Sequence, residues 1–216
     1  MDHWIMEPLD WKRDPQDNRT LPAILYVRLK DAVERNRDLL ARAKRRGDLA
    51  VVAWLARNLV ELRVWVEYCA MSEDNALEFS DDAIRDLVAL NRKIPGLDDE
   101  TRTRLEAAEA GLPRTKDSHK FKEARDAAAI ASLGEFYNTN VKILSKYAHP
   151  TALSVMAALG EASVKPLRAQ FSGVGLTIAN EALQKLDSSF IGERYRQYAE
   201  SMARANDQIP AHRRLK

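Results

Sequence analysis

The stretch from Asp48 to Met71, DLAVVAWLARNLVELRVWVEYCAM, is apolar on almost every side for about six helical turns and contains neither Gly nor Pro. A helix without a wide polar face cannot lie on a surface, so this segment predicts the centre of a helical bundle. Asp48 supplies an N-cap oxygen for its first turn. Arg57 and Glu61 interrupt the apolar run; at a spacing of four they share one face, where the pair needs a partner or a water-lined site. They are the first candidates for chemistry.

The rest of the chain supplies surroundings of the right kind. With 216 residues, 45% hydrophobic and 31% charged, it can bury one sizeable core. Only 8 Gly and 8 Pro argue against a loop-rich β fold, and no stretch alternates as a strand does. The expected fold class is all-α, a single-domain helical bundle around the central apolar helix. Residues 1–21 read as an irregular N-terminal arm anchored by Trp4 and Trp11, residues 22–205 as the helical domain, and residues 206–216 as a basic C-terminal tail.

Within the domain, Thr20 and Pro22 open a helix carrying Leu25, Leu29, Val33, Leu39 and Leu40. It ends near Gly47 and forms an antiparallel hairpin with the central helix. Its last turns hold Arg42, Lys44, Arg45 and Arg46, which read as complements of the helix dipole rather than as a nucleic-acid patch. Beyond Met71, Ser80 or Asp81 is expected to cap a helix with Ile84, Leu87, Val88 and Leu90. The acids Glu73, Asp74, Glu78, Asp81 and Asp82 then fall in capping and first-turn positions rather than in a metal site. Asp98 opens a short, solvent-exposed helix. An alanine-rich segment leads into a helix that Pro150 stops at His149. Thr151 caps a further short helix, Pro166 starts a long one, and a last helix covers about Gly192 to Ala205. Small residues in FSGVGLTIAN, Gly173 and Gly175 among them, permit close helix approach.

Charge and motif content exclude several classes. Lys and Arg number 34 against 32 acids, so a net charge of +2 gives no global pull toward nucleic acid or anionic lipid. The single Cys69 excludes an intramolecular disulfide and a cysteine zinc cluster, and reads as core. The first residues carry acids where a secretory signal carries bases, and no run suits a membrane span; a cytoplasmic location and no membrane partner are expected. Paired zinc-type histidines, a Gly-rich phosphate loop and a Ser nucleophile elbow are all missing, so neither metal nor cofactor is expected. His3, His119 and His212 read as surface residues. Trp54 and Trp65 read as core rather than as a stacking platform for bases.

The second candidate is Tyr137 to Pro150, YNTNVKILSKYAHP. On a helical wheel Asn138, Lys142, Ser145 and His149 fall within a sector of roughly 60°. This stripe is either a solvated face or the far wall of a groove opposite Arg57 and Glu61, with Tyr137 or Tyr147 alongside.

The block ARNLVELRVWVEYCA and the later YNTNVKILSKYAHPTA together resemble a family of bacterial helical proteins, a domain of unknown function. Its marks are an Arg-x-x-x-Glu helix and a Ser-x-x-x-His-Pro helix end, matched here by Arg57, Glu61, Ser145, His149 and Pro150. That family looks similar to the wider HEPN group, whose members include metal-independent ribonucleases and toxin or phage-defence components that act as dimers. The resemblance implies a HEPN-like ligand- or partner-binding module in a stress or phage-defence context. Arg57, Glu61, Ser145, His149, Asn138 and Tyr147 would be its binding residues, with a homodimer and an RNA or protein partner. It also implies an alternative, a metal-independent endoribonuclease in which His149 takes the 2′-hydroxyl proton and Lys142 or Arg57 holds the phosphate. The HEPN nuclease signature separates an Arg from the following His by four to six residues. Here Lys142 stands in that window, and as a point charge it orients phosphate less firmly than a guanidinium fork. A structural protein with no ligand is the third reading.

Overall fold

The computed structural model describes residues 17–91, 93, 98–110, 123–149 and 160–207. Among them the regular structure is helical throughout: α1 Asp17–Arg46, α2 Leu49–Met71, α3 Glu73–Asn91, α4 Asp99–Ala110, α5 Ala124–Ile130, α6 Gly134–Ala148, α7 Glu161–Ser188 and α8 Phe190–Asp207. They pack as one all-α bundle, and no helix of the described residues is long and apolar enough to cross a membrane. The arm up to residue 16, the short helix expected from Thr151 and the tail from residue 208 lie outside the described residues, as do His3, His119 and His212.

The α2 helix is the hub, in contact with α1, α3, α5, α6, α7 and α8. Val52, Ala53, Ala56, Leu59, Val60, Val64, Val66 and Cys69 are fully buried along it. That burial around the circumference is what its apolar composition requires. Cys69 belongs to this core, and burial pushes its thiol far up, so it is inert. Asp48 caps the helix as expected, its Oδ1 accepting from Val51 N at 3.1 Å. Gly47, with φ of +85°, makes the tight turn from α1, and the Arg168 guanidinium of α7 donates to its carbonyl at 2.8 Å. A side chain at that φ would be strained.

Several boundaries differ from the sequence reading. The first helix begins at Asp17 and carries Pro22 inside it, and α7 begins at Glu161 with Pro166 inside it. In both, the proline is the sixth helical residue, so each helix gives up one bond to the carbonyl four residues before it, close to the end where the ladder is short. The third helix starts at Glu73, capped by Ser72, whose hydroxyl accepts from Asn75 N at 3.1 Å. Ser80 and Asp81 are therefore buried helical positions, not caps. Ala76 and Phe79 explain the difference: Ala76 is buried and Phe79 packs 4.8 Å from Trp65, giving the acidic run an inward face. Asp98 does cap α4, accepting from Thr101 N at 2.7 Å.

Polar clasps join α1 to the C-terminal helices. Tyr26 donates to Asp187 at 2.5 Å, Lys30 donates to Tyr26 at 3.2 Å, and the Tyr26 ring stacks on Tyr195 at 4.5 Å. Burial first, then the bond to Asp187, holds the Tyr26 phenol above its ordinary range, while the bond to Tyr26 raises Lys30. In both cases the folded state keeps its proton more tightly than the unfolded chain. Their stabilisation is therefore complete below about pH 10 and is lost as pH rises past the folded values. Tyr26→Phe should cost about 1 kcal/mol at about pH 8 and flatten the fall of the urea midpoint above about pH 10. An unchanged alkaline slope in the variant would show that the clasp contributes nothing.

Candidate functional site

The stripe Trp54, Arg57, Asn58 and Glu61 spans about 100° of the α2 surface, and each of these residues is partly or well exposed. It is the open side of an otherwise enclosed helix. One border is α1, where Asn36 accepts from Asn58 Nδ2 at 3.4 Å. The other is α6 and the residue just beyond it.

Arg57 stands at the centre. Its Nη2 donates to Glu61 Oε1 at 2.8 Å, and its Nη1 lies 3.2 Å from His149 Nε2. A guanidinium has no acceptor, so His149 accepts through Nε2 and is neutral, with its proton on Nδ1. The third donor, Arg57 Nε, is buried and makes no hydrogen bond among the described residues. The side chains of Arg57 and Glu61 retain 25% and 30% of their exposure. An i,i+4 pair that open to solvent contributes only about 0.3–1 kcal/mol, a weak reason to set two charges in an apolar helix.

His149 reaches Arg57 because of its backbone. It is the C-cap of α6, with φ of −112° and ψ of 156°, the extended conformation that a following proline favours. The chain therefore leaves the helical path at His149, and the helical wheel no longer describes where its ring goes. The other members of the expected stripe stay on the wheel. Leu144 is buried and Tyr137, Val141 and Ala148 pack with it on the core, which turns Asn138 and Lys142 outward. Asn138 and Lys142 are exposed and make no side-chain hydrogen bond or ion pair among the described residues. Ser145 is half-buried, and its carbonyl accepts the His149 amide at 3.3 Å.

Two aromatic residues exchange roles. Tyr147 packs on Phe171 of α7, with ring centroids 5.2 Å apart, and so belongs to the α6–α7 contact. Tyr137 is the tyrosine near the groove: burial, and next the charge of Glu61, raise its phenol despite the opposing effect of Arg57. Trp65 is partly buried against Tyr68 and Phe79, whereas Trp54 is not core; it is 47% exposed at the N-terminal end of the open stripe.

A second pair of the same spacing also lies on α2. Arg63 Nη2 donates to Glu67 at 2.6 Å, Lys185 of α7 reaches Glu67 at 2.9 Å, and Glu181 lies 3.7 Å from Arg63. The Arg-x-x-x-Glu spacing at Arg63 and Glu67 is readable in the sequence. With partners on α7, this pair clasps two helices rather than lining a groove. The acids of α3 are likewise engaged: Glu78 accepts from the Tyr68 hydroxyl, and Asp82 pairs with Arg85 at 2.9 Å. No group of three or more potential metal ligands occurs among the described residues.

Comparison with family models, with curated proteins and with solved structures returns no match.

Proposed function

We propose that this protein is a HEPN-like helical binding module whose groove accepts an anionic group of a ligand or partner at Arg57 and His149. The observation that carries the reading is the state of Arg57. One nitrogen is held by Glu61 at 2.8 Å, one rests on a neutral imidazole at 3.2 Å, and Nε has no acceptor among the described residues. A phosphate or carboxylate offers charge-assisted acceptors that a neutral imidazole does not. It would draw Nη1 from His149 and leave Nε2 to take a proton and then donate to the same anion. Glu61 would hold the guanidinium in place during the exchange. Asn138 and Ser145 would then serve the rim of the groove, and Tyr147 would support α6 from behind.

The test is a titration with inorganic phosphate followed on the His149 imidazole nitrogens by NMR. The expected result is a saturable shift of Nε2 that Arg57→Gln abolishes; an Nε2 signal indifferent to phosphate sinks the reading.

The endoribonuclease remains the second reading, favoured by the same Arg57–His149 contact. His149, once released, is a base for a 2′-hydroxyl, and Arg57 is the cation for the phosphate. Lys142, exposed and outside the cluster, is the weaker choice for that cation. Incubation with RNA in a metal chelator separates the readings: degradation by the wild type but not by His149→Ala assigns the nuclease, and intact RNA in both leaves the binding module. A cytoplasmic homodimer in a stress or phage-defence context completes the proposal, with light scattering as the test of the dimer.

A further inference from the structure

The fold sets the basic end of α1 beside the exposed tryptophan of α2. Leu39, Val51, Trp54 and Leu55, together with Arg42, Arg46 and Asp48, line a cleft of about 280 Å³ at the turn end of the α1–α2 hairpin. The cleft does not include Arg57, Glu61 or His149. Leu39 is 38% exposed and Val51 39%, so with Trp54 they form an apolar floor open to solvent.

Charge decides what such a floor suits. Arg42, Lys44, Arg45 and Arg46 are exposed and have no acidic partner among the described residues. The C-terminal end of α1 presents a dipole equivalent to about half a negative charge. Asp48 adds one carboxylate, which is occupied in capping Val51 N at 3.1 Å. Four cations leave this end of α1 net positive beyond what the dipole and Asp48 offset, so the cleft has a positive rim. Arg42 and Arg46 stand about 6 Å apart along the helix axis, two guanidinium groups along one edge of an aromatic floor. Three exposed apolar side chains are a small core for a stable protein interface, which buries about 1,200–2,000 Å² in total. They are enough for one planar base, whose face stacks on an aromatic ring while its phosphates meet the cations.

We propose that this cleft binds single-stranded nucleic acid, with a base stacked on Trp54 and the flanking phosphates held by Arg42 and Arg46. The site is independent of the Arg57–His149 groove and stands whether or not that groove binds an anion.

The test is fluorescence anisotropy of a fluorescein-labelled oligoadenylate of about ten residues, titrated with the protein between about 50 and 200 mM salt. The wild type is expected to bind, and Trp54→Ala to weaken binding about tenfold. Trp54→Phe should keep most of the affinity because the stacking face remains. The double variant Arg42→Gln/Arg46→Gln should lower the slope of log affinity against log salt by about 1.4. Arg194→Gln, at an exposed cation of α8, should bind as the wild type does, which separates this cleft from surface charge in general. Failure of the wild type to bind at about 50 mM salt overturns the proposal, as does binding unchanged by both Trp54→Ala and the double variant. Binding of a labelled acidic aromatic peptide without any binding of the oligonucleotide also overturns it, in favour of a protein partner. Both arginines are exposed, so the double variant decides the matter even if Trp54→Ala disturbs folding; far-UV circular dichroism accompanies each variant.

Discussion

Leu59→Ala is expected to lower the free energy of unfolding by about 2–5 kcal/mol, in the upper part of that range. Leu59 is fully buried midway along α2, a helix with neighbours on nearly every side. Truncation removes the transfer energy of the deleted methyl groups and leaves a cavity whose walls belong to several elements at once. Those walls cannot all move inward without parting from one another, so the cavity persists and its cost adds to the transfer cost. Leu62, partly buried on the same helix, is the comparison, and its truncation should cost clearly less. Urea unfolding with an unchanged m-value measures both. A loss under about 1 kcal/mol at Leu59 would mean that the site collapses freely, and α2 would not be the packed centre of the bundle.

Gly175→Ala should destabilise by about 1–3 kcal/mol, and Gly173→Ala should be neutral or stabilise by up to about 1 kcal/mol. Both glycines lie on α7, and alanine is the better helix former at each, by about 0.5–1 kcal/mol. Their surroundings set the sign. A Cβ at Gly175 would stand 2.6 Å from Leu40 Cδ2 and 3.3 Å from Ala56 Cα, whereas one at Gly173 meets nothing within 4 Å. Leu40 is fully buried and cannot swing away without displacing its own neighbours, and Ala56 presents backbone. The missing Cβ at Gly175 is what lets α7 settle onto α1 and α2. This contact is internal to the fold. Thermal or urea unfolding of the two variants should move in opposite directions or differ by at least about 1 kcal/mol; equal effects would show that the close approach carries no energy.

Leu59→Ala probes the part of the molecule that is legible from residues alone. Periodicity and composition determine local structure, and an apolar helix has one way to escape water, by being surrounded. The all-α class, the central position of α2, the Asp48 cap, the Asp98 cap and the end of α6 before Pro150 follow from that reasoning. The start of α3 is less legible. The acids around Ala76 and Phe79 dominate the run from Ser72 to Asp82, yet two inward apolar contacts suffice to hold a helix once a core is there to receive them.

The candidate site divides along the same line. The shared face of Arg57 and Glu61 is a property of spacing on one helix and needs no tertiary information. The meeting of Arg57 with His149 joins residues 92 positions apart and depends on how α6 lies against α2. A wheel drawn through Asn138, Lys142, Ser145 and His149 treats all four alike, but the extended backbone at the cap takes His149 alone off the helical path. The exposure of Trp54 has the same origin. Its apolar ring predicts burial, but burial requires another element to cover that stripe, and the packing of α1 and α6 on either side leaves it open. Sequence by itself determined which faces of each helix seek the core and which pairs share a turn, because those depend on a fixed rise and rotation per residue. Tertiary structure decided which faces find a cover, because that depends on the lengths, angles and close approaches of helices distant in the chain, down to the absence of one Cβ at Gly175.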